Sequence, residues 1–324
     1  MTSHDLVLIG GAGFIGRNIL DALSKAGGPG LRPVVIDNLS SAAPGTLPAL
    51  ALHHGRYQDP DALEFLDSLG GGPRILVLLA GETRVKDSAE RPLDFISANV
   101  SEPAGFALQA LRPGDHLLMF STAGALFDGT APIARGLPVS PKNVYGASKA
   151  AGELVLAQIA AQRGARLTVL RPTNVYGPHS QHKKSAIHAF VRAVLAGQPL
   201  TLHGDGEQSR DFVYAPDLAR AVTEIALALA AGRDVAPVQM LASGQSVSLN
   251  AVLVAIATAH GRPPQVTRIA AEALLATEPR DVIADPEAIS PFLAGRVTGL
   301  DAGIAATYDW YARAAAGLTP EPVQ

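Results

Sequence analysis

Residues 5–16 read Asp5-Leu6-Val7-Leu8-Ile9-Gly10-Gly11-Ala12-Gly13-Phe14-Ile15-Gly16, and no other stretch restricts the possible folds as sharply. A short apolar run breaks into glycines at 10, 13 and 16, and a helix-length segment follows over 14–26. Glycines at that spacing serve a tight turn, a bare backbone against a pyrophosphate, and close packing of a helix on a strand. The anion then rests on the helix N-terminus, where free N–H groups and the dipole favour negative charge. A glycine-rich turn can also be purely structural, but here it follows a strand and opens a helix, as the binding reading requires.

The rest of the first half repeats the pattern. Residues 5–9, 32–36, 75–79, 116–120 and 167–170 are short, nearly continuous apolar runs punctuated by Gly or Pro, which suits parallel strands covered on both faces. Helix-length segments lie between them over 14–26, 60–69, 92–111 and 144–162. The alternation predicts an α/β fold, a doubly wound parallel sheet. After Arg171-Pro172 the helices are interrupted and loops multiply, which predicts a smaller, interleaved C-terminal substrate domain. The expected division is 1–175 for nucleotide binding with a returning segment near 211–240, and 176–210 plus 241–324 for the substrate. The alanine runs 226–231 and 312–316 read as helix surface, since alanine is the best helix former.

Asp37 closes the second strand, 21 positions after Gly16. A carboxylate there accepts hydrogen bonds from ribose hydroxyls and repels a 2′-phosphate, favouring NAD(H) over NADP(H). Its alternative is a turn-initiating Asp before Asn38, and Arg32 and Arg56 could still recruit a phosphate. With 26 Lys+Arg against 29 Asp+Glu, the charge of −3 lacks the basic face that a nucleic-acid partner needs. The absence of cysteine excludes disulfides, thiolate zinc sites and a Cys nucleophile. No apolar run reaches membrane-spanning length, and no basic leader precedes the first strand, so no membrane partner and a cytoplasmic location are expected.

Chemistry enters at Tyr145-Gly146-Ala147-Ser148-Lys149. Tyr and Lys four apart on a helix share a face. A free phenol, with pKa about 10, is a poor base near neutrality, and an adjacent ammonium is expected to lower it. Such a pair can exchange a proton with a substrate hydroxyl.

With those residues in place the chain resembles the extended short-chain dehydrogenase/reductase family, in its NAD-dependent nucleotide-sugar epimerase/dehydratase group. The resemblance runs through Gly10–Gly16, Asp37–Ser40, Leu79–Val85, Asn99, Tyr145–Lys149, Arg171–Pro178, Gly204–Val213 and the closing segment Gly303–Tyr311. It implies a Rossmann domain and a tightly held NAD. Tyr145 would be the base and Lys149 would hold the nicotinamide ribose, with Thr122 as the third catalytic group. Gly10, Gly13, Phe14, Ile15 and Gly16 would cradle the cofactor, with Asp37, Asn38, Ser40 and Asp59 beside the adenosine. Leu79, Ala80, Gly81, Thr83, Asn99 and Thr173 would complete the cofactor site. Asn174 and Arg210 would contact the diphosphate of a sugar nucleotide, with Arg84, Thr122, Tyr145 and Arg280 also facing substrate. A homodimer through segments 92–111 and 144–162 is a further implication, though that apolar surface could be covered within one chain.

Several positions depart from the family pattern. The usual hydroxyl falls on Ala123, leaving Thr122 as the nearest candidate and Ser121 as the next; Thr122 could merely cap the strand end. Gly124 and Ala125 occupy the slots where the 4,6-dehydratases carry Asp-Glu, and neither can transfer a proton. Arg56 stands where the adenine-contacting Asp falls, and Asp59, the next acidic position, could be only a helix N-cap. In Thr277–Asp281 the usual phosphate-binding Arg falls near Glu278, and Arg280 could substitute. His179, His182, His188 and Lys183-Lys184 invite a metal or phosphate reading. No carboxylate keeps ligand spacing with them, so a solvated loop over the sugar site is expected and no metal. Three functions compete: a nucleotide-sugar epimerase, most simply a UDP-sugar 4-epimerase; an NAD(P)-dependent ketosugar reductase; and a catalytically silent NAD-binding regulatory protein.

Overall fold

The structure, a computed structural model, describes residues 4–27, 30–42, 47, 50–129, 132–270, 279 and 281–318. Strands β1 (His4–Ile9), β2 (Leu31–Asp37), β3 (Ala51–His54), β4 (Ile75–Leu78), β5 (His116–Phe120) and β6 (Arg166–Pro172) build most of one sheet. Its order is β3-β2-β1-β4-β5-β6, and Val238–Leu241 extends it beyond β6. Every pairing in it is parallel. All five predicted strands are present. β3 escaped the sequence reading because only one of its four residues is even partly buried, so it carries no apolar run.

Helices α1 (Phe14–Lys25), α2 (Pro60–Ser68), α3 (Val85–Glu90), α4 (Pro92–Ile96), α5 (Glu102–Ala110) and α6 (Val144–Gln162) fill the crossovers of this half. Successive side chains of β1 show why its sequence is apolar at every position. Leu6 and Leu8 join a core with Ile19 and Leu23 of α1, whereas Val7 and Ile9 join another with Leu66 of α2, Phe106 of α5 and Leu156 of α6. Both faces of the sheet are covered, so strict alternation is lost.

Segment 92–111 is not the single helix expected. A π turn, Ser97–Ser101, separates α4 from α5, with the Glu102 N–H donating to the Ser97 carbonyl. The turn carries Asn99, whose carbonyl presses on α6. A Cβ added at Gly152 would lie 2.5 Å from it. A one-residue expansion of this kind leaves no mark in hydrophobic periodicity.

The second half adds β7 (Asn174–Tyr176), α7 (Ala186–Leu195), β8 (Leu200–His203), β9 (Ser209–Tyr214), α8 (Ala215–Ala230) and β10 (Val238–Leu241). It continues with β11 (Ser246–Ser248), α9 (Leu249–His260), β12 (Val266–Ile269), β13 (Asp281–Val282) and α10 (Leu300–Ala315). β9 lies at the centre of a small sheet, parallel to β7 and β13 and antiparallel to β11. Tyr176, Phe190, Leu202, Tyr214, Ile256 and Trp310 anchor a separate core around it. α8 instead packs with α1 on the large sheet. The alanine reading is corrected there: Ala226 and Ala228 are buried, because their small side chains let two helices approach closely. Ala315 and Ala316 do lie toward solvent, whereas Ala314 packs against the small-sheet core. Among the described residues no helix is long and apolar enough to cross a membrane.

Candidate active site

The strand order reverses between β1 and β4, and open α/β sheets bind ligands outside the carboxyl ends of strands at such a point. A cleft of about 440 Å³ opens there. Sterics fix its floor. Gly10 has φ +82°, and a Cβ on it would lie 2.9 Å from the Ala80 nitrogen. At Gly16 the added atom would come within 2.3 Å of the Gly11 carbonyl oxygen. α1 starts at Gly13 with no side-chain cap and no acid in its first turn, so its free N–H groups suit an anion. Asp37 stands at the end of β2, where its carboxylate accepts from Ala12 N–H at 2.9 Å and Leu39 N–H at 2.7 Å. These contacts lock the carboxylate against the glycine loop. The donor set and the bare backbone therefore fit a dinucleotide.

Of the expected cofactor residues, Gly10, Gly13, Phe14, Ile15 and Gly16 line this cleft, as do Asp37, Asn38 and Ser40. Leu79, Ala80, Gly81 and Thr83 form the wall beyond β4, with Arg84 at its mouth in an exposed ion pair with Asp87 at 2.7 Å. Asp59 lies off the wall. It precedes α2, and its carboxylate accepts from Arg56 N–H at 3.2 Å, bracing the loop that does line the cleft.

Asn99 and Lys149 sit directly behind Gly81. A Cβ at Gly81 would be 2.6 Å from Asn99 Oδ1 and 3.4 Å from Lys149 Nζ, so a side chain there would crowd the buried amide and come between the cleft wall and the amine. Lys149 Nζ donates to the Phe120 carbonyl at 3.1 Å. Asn99 Nδ2 donates to Glu82 O at 3.1 Å and to Ser148 Oγ at 3.0 Å, and its Oδ1 is buried without a partner. The π turn thus delivers a buried amide beside the lysine.

Tyr145 lies in the first turn of α6, which Asn143 caps by accepting from the Gly146 N–H at 2.9 Å. A Cβ at Gly146 would fall 1.9 Å from the Ala125 carbonyl, so this glycine admits the loop after β5. That loop brings Thr122 to Tyr145. Burial pushes the phenol up to about 12, and a hydrogen bond donated by Thr122 pulls the other way. The expected lowering by a neighbouring ammonium is not the governing effect, because desolvation outweighs it in this enclosed position. Burial likewise pulls Lys149 down to about 8, opposed by Glu153 and reinforced by Lys183. Ala123, in the slot of the missing hydroxyl, is fully buried in the apolar core, where an unpaired hydroxyl would be costly.

Thr173 turns away from the cleft. Its hydroxyl donates to Asp211 Oδ1 at 3.1 Å. Asp211 is fully buried and also accepts from Ser243 N–H and Oγ–H, Gly244 N–H and Ala284 N–H. Asn174 opposes Phe212 across β7 and β9, and Arg210 is two residues before Phe212, so all three share one face of the small sheet. The Arg210 guanidinium donates to the Ser209 carbonyl at 2.8 Å. Arg280 lies outside the described residues.

The three histidines disperse. His179 Nε2 meets Asp21 Oδ2 at 2.8 Å, His188 Nδ1 meets Ser185 Oγ at 2.7 Å, and His182 lines the cleft. Lys183, which the sequence reading weighs with the histidines for phosphate and sets in a solvated loop, also lines it, as does Glu82, which the sequence does not single out as a site residue. The motif Arg171-Pro172 held a signal for another omission: Arg171 pairs with buried Glu153, one turn beyond Lys149, at 2.6 Å.

The pattern of the family described as NAD dependent epimerase/dehydratase matches residues 6–237. A UDP-glucose 4-epimerase of Azospirillum brasilense is 33% identical over 239 residues, which is 68% of this chain and 67% of that protein. A dTDP-glucose 4,6-dehydratase of Xanthomonas campestris is 30% identical over 253 residues, 70% of this chain and 68% of the relative. Among solved structures, the Thermus thermophilus UDP-glucose 4-epimerase in complex with NAD aligns with a TM-score of 0.82 at 28% identity, covering 95% of this chain and 98% of its own.

Proposed function

The chain belongs to the NAD-dependent epimerase/dehydratase family, and from that premise we propose that it is a nucleotide-diphosphate-sugar epimerase, most simply a UDP-sugar 4-epimerase. NAD supplies a hydride acceptor that can return what it takes. Tyr145 would act from its phenolate form, which the Thr122 hydrogen bond and the Lys149 ammonium favour against burial; it would receive the proton of a sugar hydroxyl as that carbon gives up its hydride, and return it when hydride comes back to the opposite face. Thr122 orients the phenol by its hydrogen bond. Lys149 holds the ribose end of the site beside Asn99. Asn174, at the end of segment 1–175, and Arg210, at the end of segment 176–210, hold the sugar nucleotide's diphosphate; the segments 176–210 and 241–324 are assigned to substrate binding. α8 on α1 and β10 on the large sheet support assigning the region near 211–240 to the cofactor side.

The observation that carries epimerisation over dehydration is the loop beyond Thr122. Ala123, Gly124 and Ala125 follow the hydroxyl, and none can deliver the proton that elimination of water requires. Purified chain incubated with UDP-glucose, UDP-galactose and their N-acetyl counterparts should yield the C4 isomer without net reduced cofactor. A 4-keto-6-deoxy sugar as product would replace this reading with dehydration. Stoichiometric consumption of NADH or NADPH would replace it with a reductase.

We also propose a cytoplasmic homodimer formed through α4 and α6. Leu93 is 76% exposed on the first and Leu154 72% exposed on the second, and such side chains gain by mutual burial. Leu154→Glu should sediment as a monomer; an unchanged sedimentation coefficient would remove this assembly.

A further inference from the structure

Residues 177–185 form a strap that joins β7 to α7 and passes over the glycine loop. Two left-handed residues turn it: Gly177 with φ +145° and His179 with φ +64°. A non-glycine residue holds that conformation only where its surroundings impose it. Here they do. His179 is fixed by Asp21 and stands edge-on to Trp310 at 5.3 Å. Asn18 of α1 donates to the Pro178 carbonyl at 3.0 Å, and the Tyr311 hydroxyl of α10 donates to the Ser180 carbonyl at 2.8 Å. Arg192 of α7 donates to the Gln181 carbonyl at 3.1 Å and the Lys183 carbonyl at 2.6 Å.

The consequence is a directed side chain. Lys184 points to solvent, but Lys183 turns inward and lines the cleft, with Nζ 6.0 Å from the centre of the Phe14 ring. The solvated loop expected from the sequence is corrected at this residue. Burial lowers its pKa, and Glu82 opposes that from a distance. Among the described residues no carboxylate lies within 4 Å of its ammonium. Phe14 opens α1, whose first turn has neither a side-chain cap nor an acid. A partly desolvated cation and the positive end of a helix therefore face one space, and only an anion satisfies both.

We propose that Lys183 clamps the pyrophosphate of the bound dinucleotide against the N-terminus of α1, so that the strap holds the cofactor in the cleft. The inference rests on the cofactor assignment and is independent of which sugar is turned over.

The test titrates full-length chain, freed of nucleotide, with NAD, adenosine and UDP in turn. Calorimetry and the fluorescence of Trp310, the single tryptophan, both report binding. Lys183→Gln should raise the NAD Kd about tenfold, the scale of one charge-assisted contact, and flatten its dependence on ionic strength. Lys183→Arg should restore most of the affinity, and Lys184→Gln should match the parent. Adenosine and UDP should bind parent and Lys183→Gln alike. Lys183→Met, which keeps an apolar stem on Phe14, repeats the measurement if the Gln variant does not fold. Unchanged NAD affinity in the charge-removing variants would overturn the clamp. So would an equal loss of adenosine, which marks a structural defect, or a loss of UDP alone, which assigns the lysine to the sugar nucleotide. A parent that binds UDP and not NAD would overturn the cofactor assignment itself.

Discussion

At Gly16 an added methyl group would collide with a carbonyl 2.3 Å away, whereas at Asp211 one carboxylate collects five donors from four residues among those described. The two positions typify the regions they belong to. Around the large sheet the site is made by leaving side chains out, so that backbone N–H groups and a helix end meet a ligand directly. Around the small sheet the frame is made by polar side chains that reach across loops: Asp211 ties β9 to the segments after β6, β10 and β13. The first arrangement tolerates no added atom, and the second tolerates no lost acceptor. Substitutions of opposite kinds should therefore disable the two regions in separable ways.

The largest effect is expected where the regions meet. Tyr145→Phe removes the proposed proton acceptor and leaves the aromatic packing against Phe95, whose ring centre is 6.2 Å away. Turnover should fall about 10²–10⁴-fold or below detection, the range for loss of a positioned acid–base group. NAD and UDP should bind as before. A variant retaining near-parent turnover would make the protein a different kind of catalyst, or a silent one.

Next comes the steric test. Gly16→Ala forces Gly11 and the start of α1 apart, a cost of about 1–3 kcal/mol from overpacking. NAD affinity should fall by one to two orders of magnitude, while UDP affinity should be preserved if the small sheet binds independently. Parallel loss of both ligands would erase the contrast drawn above.

The converse test is Asp211→Asn. The amide presents two hydrogens where Gly244 and Ala284 already offer theirs, so buried donors lose their acceptor at about 1–3 kcal/mol each. A melting temperature lower by about 4–8 °C is expected, with NAD affinity little changed. If the melt is unaltered, the carboxylate does not organise that region.

Legibility followed the same divide. Gly10, Gly13 and Gly16 could be read from the chain because sterics make their spacing obligatory, and Asp37 because strand length fixes its place. Tyr145 and Lys149 followed from helical geometry. Other features depend on contacts between distant segments. Neither composition nor periodicity signals the π turn at Asn99, the inward turn of Lys183 beside the outward turn of Lys184, or the gathering of Thr173, Ser243 and Ala284 on Asp211. Ala226 shows the same limit, since a good helix former reads alike whether it faces water or another helix. The donor to Tyr145 was narrowed to Thr122 or Ser121, and only the packing of the loop on Gly146 brings the first to the phenol.

The smallest expected effect concerns the charge of Lys149, which both regions influence. Its pKa, pulled down to about 8 by burial, is held up by Glu153 on the next turn and depressed by Lys183 on the strap. Glu153 is in turn anchored by a two-pronged contact from Arg171 at 3.1 and 2.6 Å. A lysine of lowered pKa is charged below that value and neutral above it. Activity that needs the ammonium is therefore present at lower pH and lost as pH rises through about 8. Glu153→Gln removes the favourable charge and leaves Arg171 close by, so the alkaline limb should move to lower pH. The loss should be about three- to tenfold at pH 8 and slight at pH 6.5. Lys183→Gln should move the same limb in the opposite direction. Equal loss at every pH in Glu153→Gln would reduce that residue to a scaffold for Arg171. A limb that stays in place in both variants would detach the lysine's charge from turnover.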